Sequence, residues 1–407
     1  MQYELNKQKT KLITLLVKHS SLALMLLGVG LQLLTSIVLY EKLNSTDYAQ
    51  FGQWLTFITA VSSFGLLGVE QSFLRTTHAI GNNIHIPKNV AFFIFYALCI
   101  GPAVLSFVFS YYWNQSFISL YVLALPASAV MFFYNFLRIS KSFTLAQLIN
   151  NLFRYFLLVI LLYIAFSLSI DAGDIYNTIF FGFVVALIFA TGLVKAKYNI
   201  KKAESVDSLL GLTFSFMFSM AILTGLSSID RFLVGGIFSK DEFARYFLLY
   251  NIFFSPFSII GSYVGFKRLV TYKENFSFAF FNQALLKIFI RGLVFSGAYV
   301  ITVWFVAHLI QYPLDIIGDI NTIIALVILG LMRLIYSELS AAMGAMGNKK
   351  IILVANIASL ILLIAAVVFF ELFHDISLSV VAWASCLLWF MRDVFYYIGV
   401  KQIALKI

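Results

Sequence analysis

The stretch 226–246 reads LSSIDRFLVGGIFSKDEFARY, and it places Asp230 and Arg231 side by side in an apolar run from about 211 to 238. An ionisable group inside a bilayer costs at least about 2.5–3.5 kcal/mol on insertion scales, so such a pair signals either a function or a boundary. The surroundings decide which. The 407-residue chain is 61% hydrophobic and only 11% charged, with a mean hydropathy of +0.94. Soluble domains carry about a quarter charged residues. Here 28 basic and 18 acidic side chains, 46 in all, cannot cover that much apolar surface. The composition is that of an integral membrane protein.

A hydrocarbon core of about 30 Å takes about 20 apolar residues per helix. Twelve runs qualify, near 20–40, 51–73, 89–110, 117–137, 148–168, 174–194, 211–236, 244–264, 285–307, 320–340, 351–370 and 377–399. Helices are expected because an open strand leaves its backbone unsatisfied in lipid. The loops between the runs are short, and the longest inner one, 265–284, has room for one small surface helix.

Loop charge sets orientation. Alternate loops hold 20 of the 28 basic residues: Lys7, Lys9, Lys11 and Lys18, Arg75 and Lys88, Arg138 and Lys141, Lys195 to Lys202, Lys267 to Lys287, Lys349, Lys350, Lys401 and Lys406. The opposite loops hold Lys42, Arg231, Lys240 and Arg245, with acids such as Glu41, Asp47, Asp171, Asp174, Asp315, Asp319, Glu371 and Asp375. Both termini are therefore expected in the cytoplasm. The net charge of +10 is accounted for by this asymmetry and implies no nucleic acid.

The opening stretch also has a counterpart. LNSTDYAQF at 43–51 aligns with FSKDEFARY at 238–246 at an offset of 195, each at the outer loop after the first span of a six-span half. Halves with an even number of spans enter the membrane in the same sense, which predicts two six-helix bundles related by a pseudo-two-fold axis along the membrane normal. The expected organisation is a tail at 1–19, a bundle at 20–196, a linker at 197–209, a bundle at 210–400 and a tail at 401–407. Such a pair of bundles is a transporter plan.

Several charges fall at membrane depth. In QLINNLFRY, Gln147, Asn150, Asn151 and Arg154 share one helical face, which is expected to meet a wet cavity or another polar helix. Arg291 and Arg333 are expected either to line a cavity or to pair structurally, Glu338 being an imperfect partner for Arg333. Arg392 and Asp393 are expected to neutralise each other. Asp230 and Arg231 point about 100° apart and need separate partners, one facing a cavity and one pinning a neighbouring helix. Pro102, Pro126 and Pro256 fall within spans and predict bends. Arg75, Arg138 and Lys141 are expected at cytoplasmic helix ends, and Cys99 and Cys386 as small packing residues. No phosphate-binding loop, metal-ligand spacing or nucleophile set is present, so the reading carries no cofactor and no enzyme activity.

The pattern at 43–51, Gly65 and Gly68 before Arg75, SSIDRFLVGG at 227–236, and Phe243-Ala244-Arg245-Tyr246 resemble the O-antigen and capsular-polysaccharide flippases of the multidrug/oligosaccharidyl-lipid/polysaccharide exporter superfamily. That family often has Gly where Ala49 and Ala244 stand. The resemblance implies a bacterial cytoplasmic-membrane protein that moves an undecaprenyl-diphosphate-linked oligosaccharide to the outer leaflet, functionally coupled to a polysaccharide polymerase; a monomer is expected because each half supplies one wall of the cavity. Arg154, Arg291 and Arg333 would then bind the diphosphate, with Asn150 and Asn151 beside them and Asp230 and Arg231 near the outer gate. Glu70, Glu338 and Asp393 are candidate carboxylates for coupling to H+ or Na+. The alternatives are a cation-coupled drug exporter, a lipid II exporter or a membrane polysaccharide polymerase.

Overall fold

A computed structural model describes residues 2–166, 169–205, 209–309, 319–347, 349–373 and 376–405. Asp315, His374, Asp375 and Lys406 lie outside them, as do the side chains of Lys7, Lys9, Lys11, Lys18, Lys267, Lys273 and Lys349. Among the described residues, each of the twelve apolar runs lies mostly on helix. Among the described residues, ten single helices are long and apolar enough to cross a membrane, and the number rises to twelve if each of two bent pairs is one span. The chain is a multi-pass helical membrane protein.

The helices are α1 (Gln2–Lys42), α2 (Ser45–Phe64), α3 (Val69–Thr76), α4 (Lys88–Trp113), α5 (Phe117–Ile139), α6 (Phe143–Ala165) and α7 (Ala172–Lys197). After them come α8 (Leu209–Ile237), α9 (Lys240–Phe253), α10 (Ser255–Glu274), α11 (Phe278–Leu309), α12 (Ile320–Met346), α13 (Lys349–Leu372) and α14 (Leu378–Ala404). The chain divides into two compact units, Met1–Met220 and Ala221–Ile407. In the first, α5 packs against α2, α3, α4, α6 and α7, while α6 also lies along α1. In the second, α12 packs against α9, α10, α11 and α14, and α13 against α14. The fourth span of each run of six is thus the hub of its unit. Large apolar side chains also cover the outside, including Phe95, Phe107, Ile118, Val294, Ile301 and Val354. Helices apolar on both their packed and their exposed faces suit a hydrocarbon solvent.

The second span of each unit is not one helix. α2 and α3 meet at 41°, across a break where Leu67 and Gly68 have φ of 51° and 73°. At Gly68 a Cβ would come within 2.6 Å of the Met217 backbone nitrogen, so the break requires glycine for closeness as well as for φ. α9 and α10 meet at 45°. Pro256, expected as a mid-helix kink, instead sits in the first turn of α10, where its missing N–H has no helical partner to lose. Pro102 and Pro126 lie inside the continuous helices α4 and α5.

The inner segment at 265–284, expected to hold one small surface helix, is mostly helix, but as the ends of two long helices: α10 runs on to Glu274 and α11 starts at Phe278. Residues expected as loop also form a small sheet of β1 (His78–Ile80), β2 (Asn83–Pro87) and β3 (Asn199–Ala203), in the order β1-β2-β3. β1 and β2 pair antiparallel, and β2 and β3 pair parallel with Ile84 opposite Ile200. Ile84 is fully buried and anchors the sheet to the bundle.

Candidate functional site

In the first unit the polar stripe of α6 meets a polar residue of α1. Arg154 Nε donates to Gln32 Oε1 at 2.7 Å, and its Nη1 donates to Asn151 Oδ1 at 2.5 Å. Asn151 Nδ2 in turn donates to the Gln147 carbonyl at 2.8 Å, and Gln147 Nε2 reaches Tyr134 OH on α5 at 3.4 Å. The helices approach this closely because of Gly28, whose place a Cβ could take only within 2.9 Å of Asn151 Oδ1. Tyr155 OH to the Leu24 carbonyl and Ser20 to Thr144, both at 2.8 Å, extend the seam. Asn151 is fully buried, whereas Arg154 and Asn150 are half-buried. Arg154 has no carboxylate within ion-pair distance among the described residues, and its nearest π face is Phe153 at 5.0 Å. The stripe therefore holds a guanidinium whose charge no neighbour neutralises.

The second unit holds a separate cluster of arginines and aromatic rings. Asp230 and Arg231 are both 3% exposed. Each has its own partner, as adjacent helical positions demand: Tyr246 OH donates to Asp230 Oδ2 at 2.9 Å, and Arg231 Nη2 donates to the Ser227 carbonyl at 2.5 Å. They also approach each other at 3.7 Å, longer than a hydrogen bond. The Arg231 guanidinium lies 4.1 Å over the Tyr250 ring. Both side chains are thus turned against α9, and neither is the exposed cavity residue the sequence led us to expect.

Arg333 lies 13 residues before the end of α12, about 20 Å along a helix that continues beyond 340 to Met346. It packs over Trp389 at 4.5 Å and Tyr336 at 5.3 Å, and its buried Nη1 has no hydrogen-bond partner among the described residues. Glu338 does not pair with it. That carboxylate is fully buried and takes Arg268 Nε at 3.3 Å and the Tyr272 hydroxyl. Burial, and then the hydrogen bond to Glu338, push the Tyr272 hydroxyl above the ordinary tyrosine range, so it remains a neutral donor.

Arg392, 1% exposed, does not pair tightly with Asp393. Its Nη2 donates to Tyr336 OH and Tyr396 OH, both at 3.0 Å, and to Asn356 Oδ1 at 3.4 Å. Asp393 feels both Arg333 and Arg392 electrostatically, yet neither oxygen is hydrogen-bonded among the described residues. A guanidinium enclosed by rings keeps its charge at membrane depth through cation–π attraction, about 2 kcal/mol or more once desolvated.

The structure therefore places Asp230, Arg231 and Arg333 in one unit, and Arg154, Asn150 and Asn151 in the other. Arg291 joins neither: it is exposed on α11, beside the buried Gly292 that faces Leu331. Several partners were not foreseen, namely Gln32, Arg268, Tyr250, Tyr336, Trp389 and Tyr396. Three had a signal. Gln32 is a polar residue inside the first apolar run, and Tyr336 and Tyr396 stand three and four residues after Arg333 and Arg392.

The first unit also has an open cleft of about 420 Å³ where α2, the α4–α5 connection and α7 begin. Its lining, including Gln50, Trp54, Asn114, Gln115, Tyr176 and Asn177, carries no charge. Cys386 is buried and packs its thiol on the Ala325 carbonyl at 3.0 Å, whereas Cys99, expected to pack, is exposed on α4. Compared with models of known protein families and with curated protein sequences, the chain matches none.

Proposed function

We propose that this chain is an exporter in the bacterial cytoplasmic membrane that carries a polyprenyl-diphosphate-linked oligosaccharide from the inner to the outer leaflet by alternating access. In this reading both termini are cytoplasmic, the two runs of six spans are related by a pseudo-two-fold axis along the membrane normal, and the chain works as a monomer alongside a polysaccharide polymerase. Arg154 is the observation that carries the reading. A guanidinium at membrane depth, held by Gln32 and Asn151 but neutralised by no carboxylate among the described residues, has spare charge for an anion. Guanidinium is suited to phosphate because its planar fork gives paired hydrogen bonds to two oxygens. Asn150, half-buried one helical turn away with no side-chain hydrogen bond among the described residues, would add a neutral donor to the same ligand.

The test is the leaflet distribution of lipid-linked oligosaccharide in cells lacking the gene. Complete units held on the cytoplasmic side, released by the wild-type chain but not by an inserted, folded Arg154→Ala variant, support the reading. Wild-type export by Arg154→Ala removes that residue from the site. Units already on the outer side but unpolymerised would indicate an enzyme, and no glycolipid phenotype would favour a drug exporter.

A further inference from the structure

Four carboxylates are buried among the described residues: Glu70, Asp230, Glu338 and Asp393. Three have a cation. Asp230 has Arg231 at 3.7 Å, Glu338 has Arg268 at 3.3 Å, and Asp393 lies in the field of Arg333 and Arg392. Glu70 has none. It is 8% exposed, and neither carboxylate oxygen is hydrogen-bonded among the described residues.

Glu70 occupies the first turn of α3, directly after the break in the second span. α3 packs on α4, α5 and β2, and touches the start of α8. The cations on these elements are Arg75 on α3 itself, Lys88 on α4, Arg138 on α5 and His85 on β2; residues 209–220 of α8 carry no charge. Arg75 stacks on Phe216 at 4.6 Å, and Arg138 donates to Asn135 at 3.1 Å. The weaker titratable groups are Tyr96, Cys99, Tyr111 and Tyr112 on α4, with Tyr121 and Tyr134 on α5. None of these lies within ion-pair distance of Glu70 among the described residues, and the nearby backbone amides of Gly68 and Glu70 offer dipoles but no countercharge.

A desolvated carboxylate without a cation is far costlier than the neutral acid. The site is also mechanically placed. Gly65 lies against Ser128 Oγ and the Gly101 backbone, so the break is closed by direct backbone contact. We propose that Glu70 is a proton-binding site. In the closed conformation its carboxyl carries a proton taken from bulk water, and release of that proton, as H+ to water, leaves a carboxylate that requires the α2–α3 break to open. Protonation thereby sets the conformation of a bent span.

Harnessing that proton to transport rests on the exporter reading; the titration does not, since it needs no glycolipid. Failure of the export assay and failure of the titration are therefore separately visible. The experiment is infrared spectroscopy of the purified full-length protein across a pH series, with sodium and then with choline as the only added cation. The expected result is a carboxylic-acid carbonyl band at neutral pH that disappears at alkaline pH. Glu70→Gln should lose one carboxyl's worth of its intensity. Absence of the band from the wild type overturns the proposal without any variant having to fold. Full retention of the band in Glu70→Gln overturns it for this residue, and a band set by sodium at constant pH overturns it in favour of a metal cation.

Discussion

Asp230 and Arg231 are a buried charge pair of the second unit, and their partners differ in kind. Tyr246 supplies one neutral hydrogen bond to Asp230, so Tyr246→Phe removes a single donor. Hydrogen bonds of this type in membrane helices average about 0.6 kcal/mol and reach about 1.7. Asp230→Ala instead leaves Arg231 buried with its nearest carboxylate gone, which costs about 3–5 kcal/mol. Denaturant unfolding of the purified protein in detergent should therefore show a loss several-fold larger for Asp230→Ala than for Tyr246→Phe. Equal losses would mean that the carboxylate contributes through its hydrogen bond alone. Arg154 differs from this pair: its partners are amides, so Arg154→Lys keeps the charge but loses the two-point grip on Gln32 and Asn151 and should export more slowly than the wild type.

At the scale of elements, the repeat between 43–51 and 238–246 has a local meaning. Asn44 and Ser239 are the N-caps of α2 and α9, accepting from the backbone nitrogens of Asp47 and Glu242 at 2.8 and 3.3 Å. The polar-x-x-acid core of each motif is thus a helix start, and the acid also favours the positive end of the helix dipole. The aromatic and alanine positions that follow, Tyr48, Ala49, Phe51, Phe243, Ala244 and Tyr246, are all buried. Each unit also ties its first helix to its second through a tyrosine, Tyr48 to Ser36 at 2.7 Å and Tyr246 to Asp230 at 2.9 Å. Close approach at the broken span is testable by glycine replacement. Gly101→Ala drives a methyl into the Gly65 carbonyl and should destabilise by about 1–3 kcal/mol, as overpacking does. Gly192→Ala, with nothing within 4 Å, should be neutral or slightly stabilising through better helix propensity. The melting temperature of each variant in detergent reads the difference.

At the scale of the whole molecule, charge asymmetry predicts which loops face which compartment, and the sheet supplies an independent check. β2 and β3 come from the second-to-third and sixth-to-seventh span connections, and strands that hydrogen-bond must share one side of the bilayer. The orientation rule assigns both of these loops to the cytoplasm. In a chain whose Cys99 and Cys386 are replaced by Ser, Lys201→Cys should resist an impermeant maleimide added to intact cells. Ser45→Cys and Lys240→Cys should react with it. Labelling of Lys201→Cys from outside would invert the topology.

The sequence by itself determined the class of the protein, the position of the twelve apolar runs and the single face shared by Gln147, Asn150, Asn151 and Arg154. These follow from solvent and period: hydrocarbon demands long apolar helices, and 3.6 residues per turn places i, i+3, i+4 and i+7 together whatever lies opposite. Only the tertiary structure decided the rest. It broke the second span of each unit, continued α10 to Glu274 in place of a separate surface helix, built a sheet from two distant connections, gave Glu338 to Arg268 rather than Arg333, and left Arg291 exposed. Partner choice among buried charges depends on which helices pack side by side, and local sequence carries no record of that. Glu70 shows the limit best, because its lack of a countercharge depends on where every neighbouring helix places its own cations.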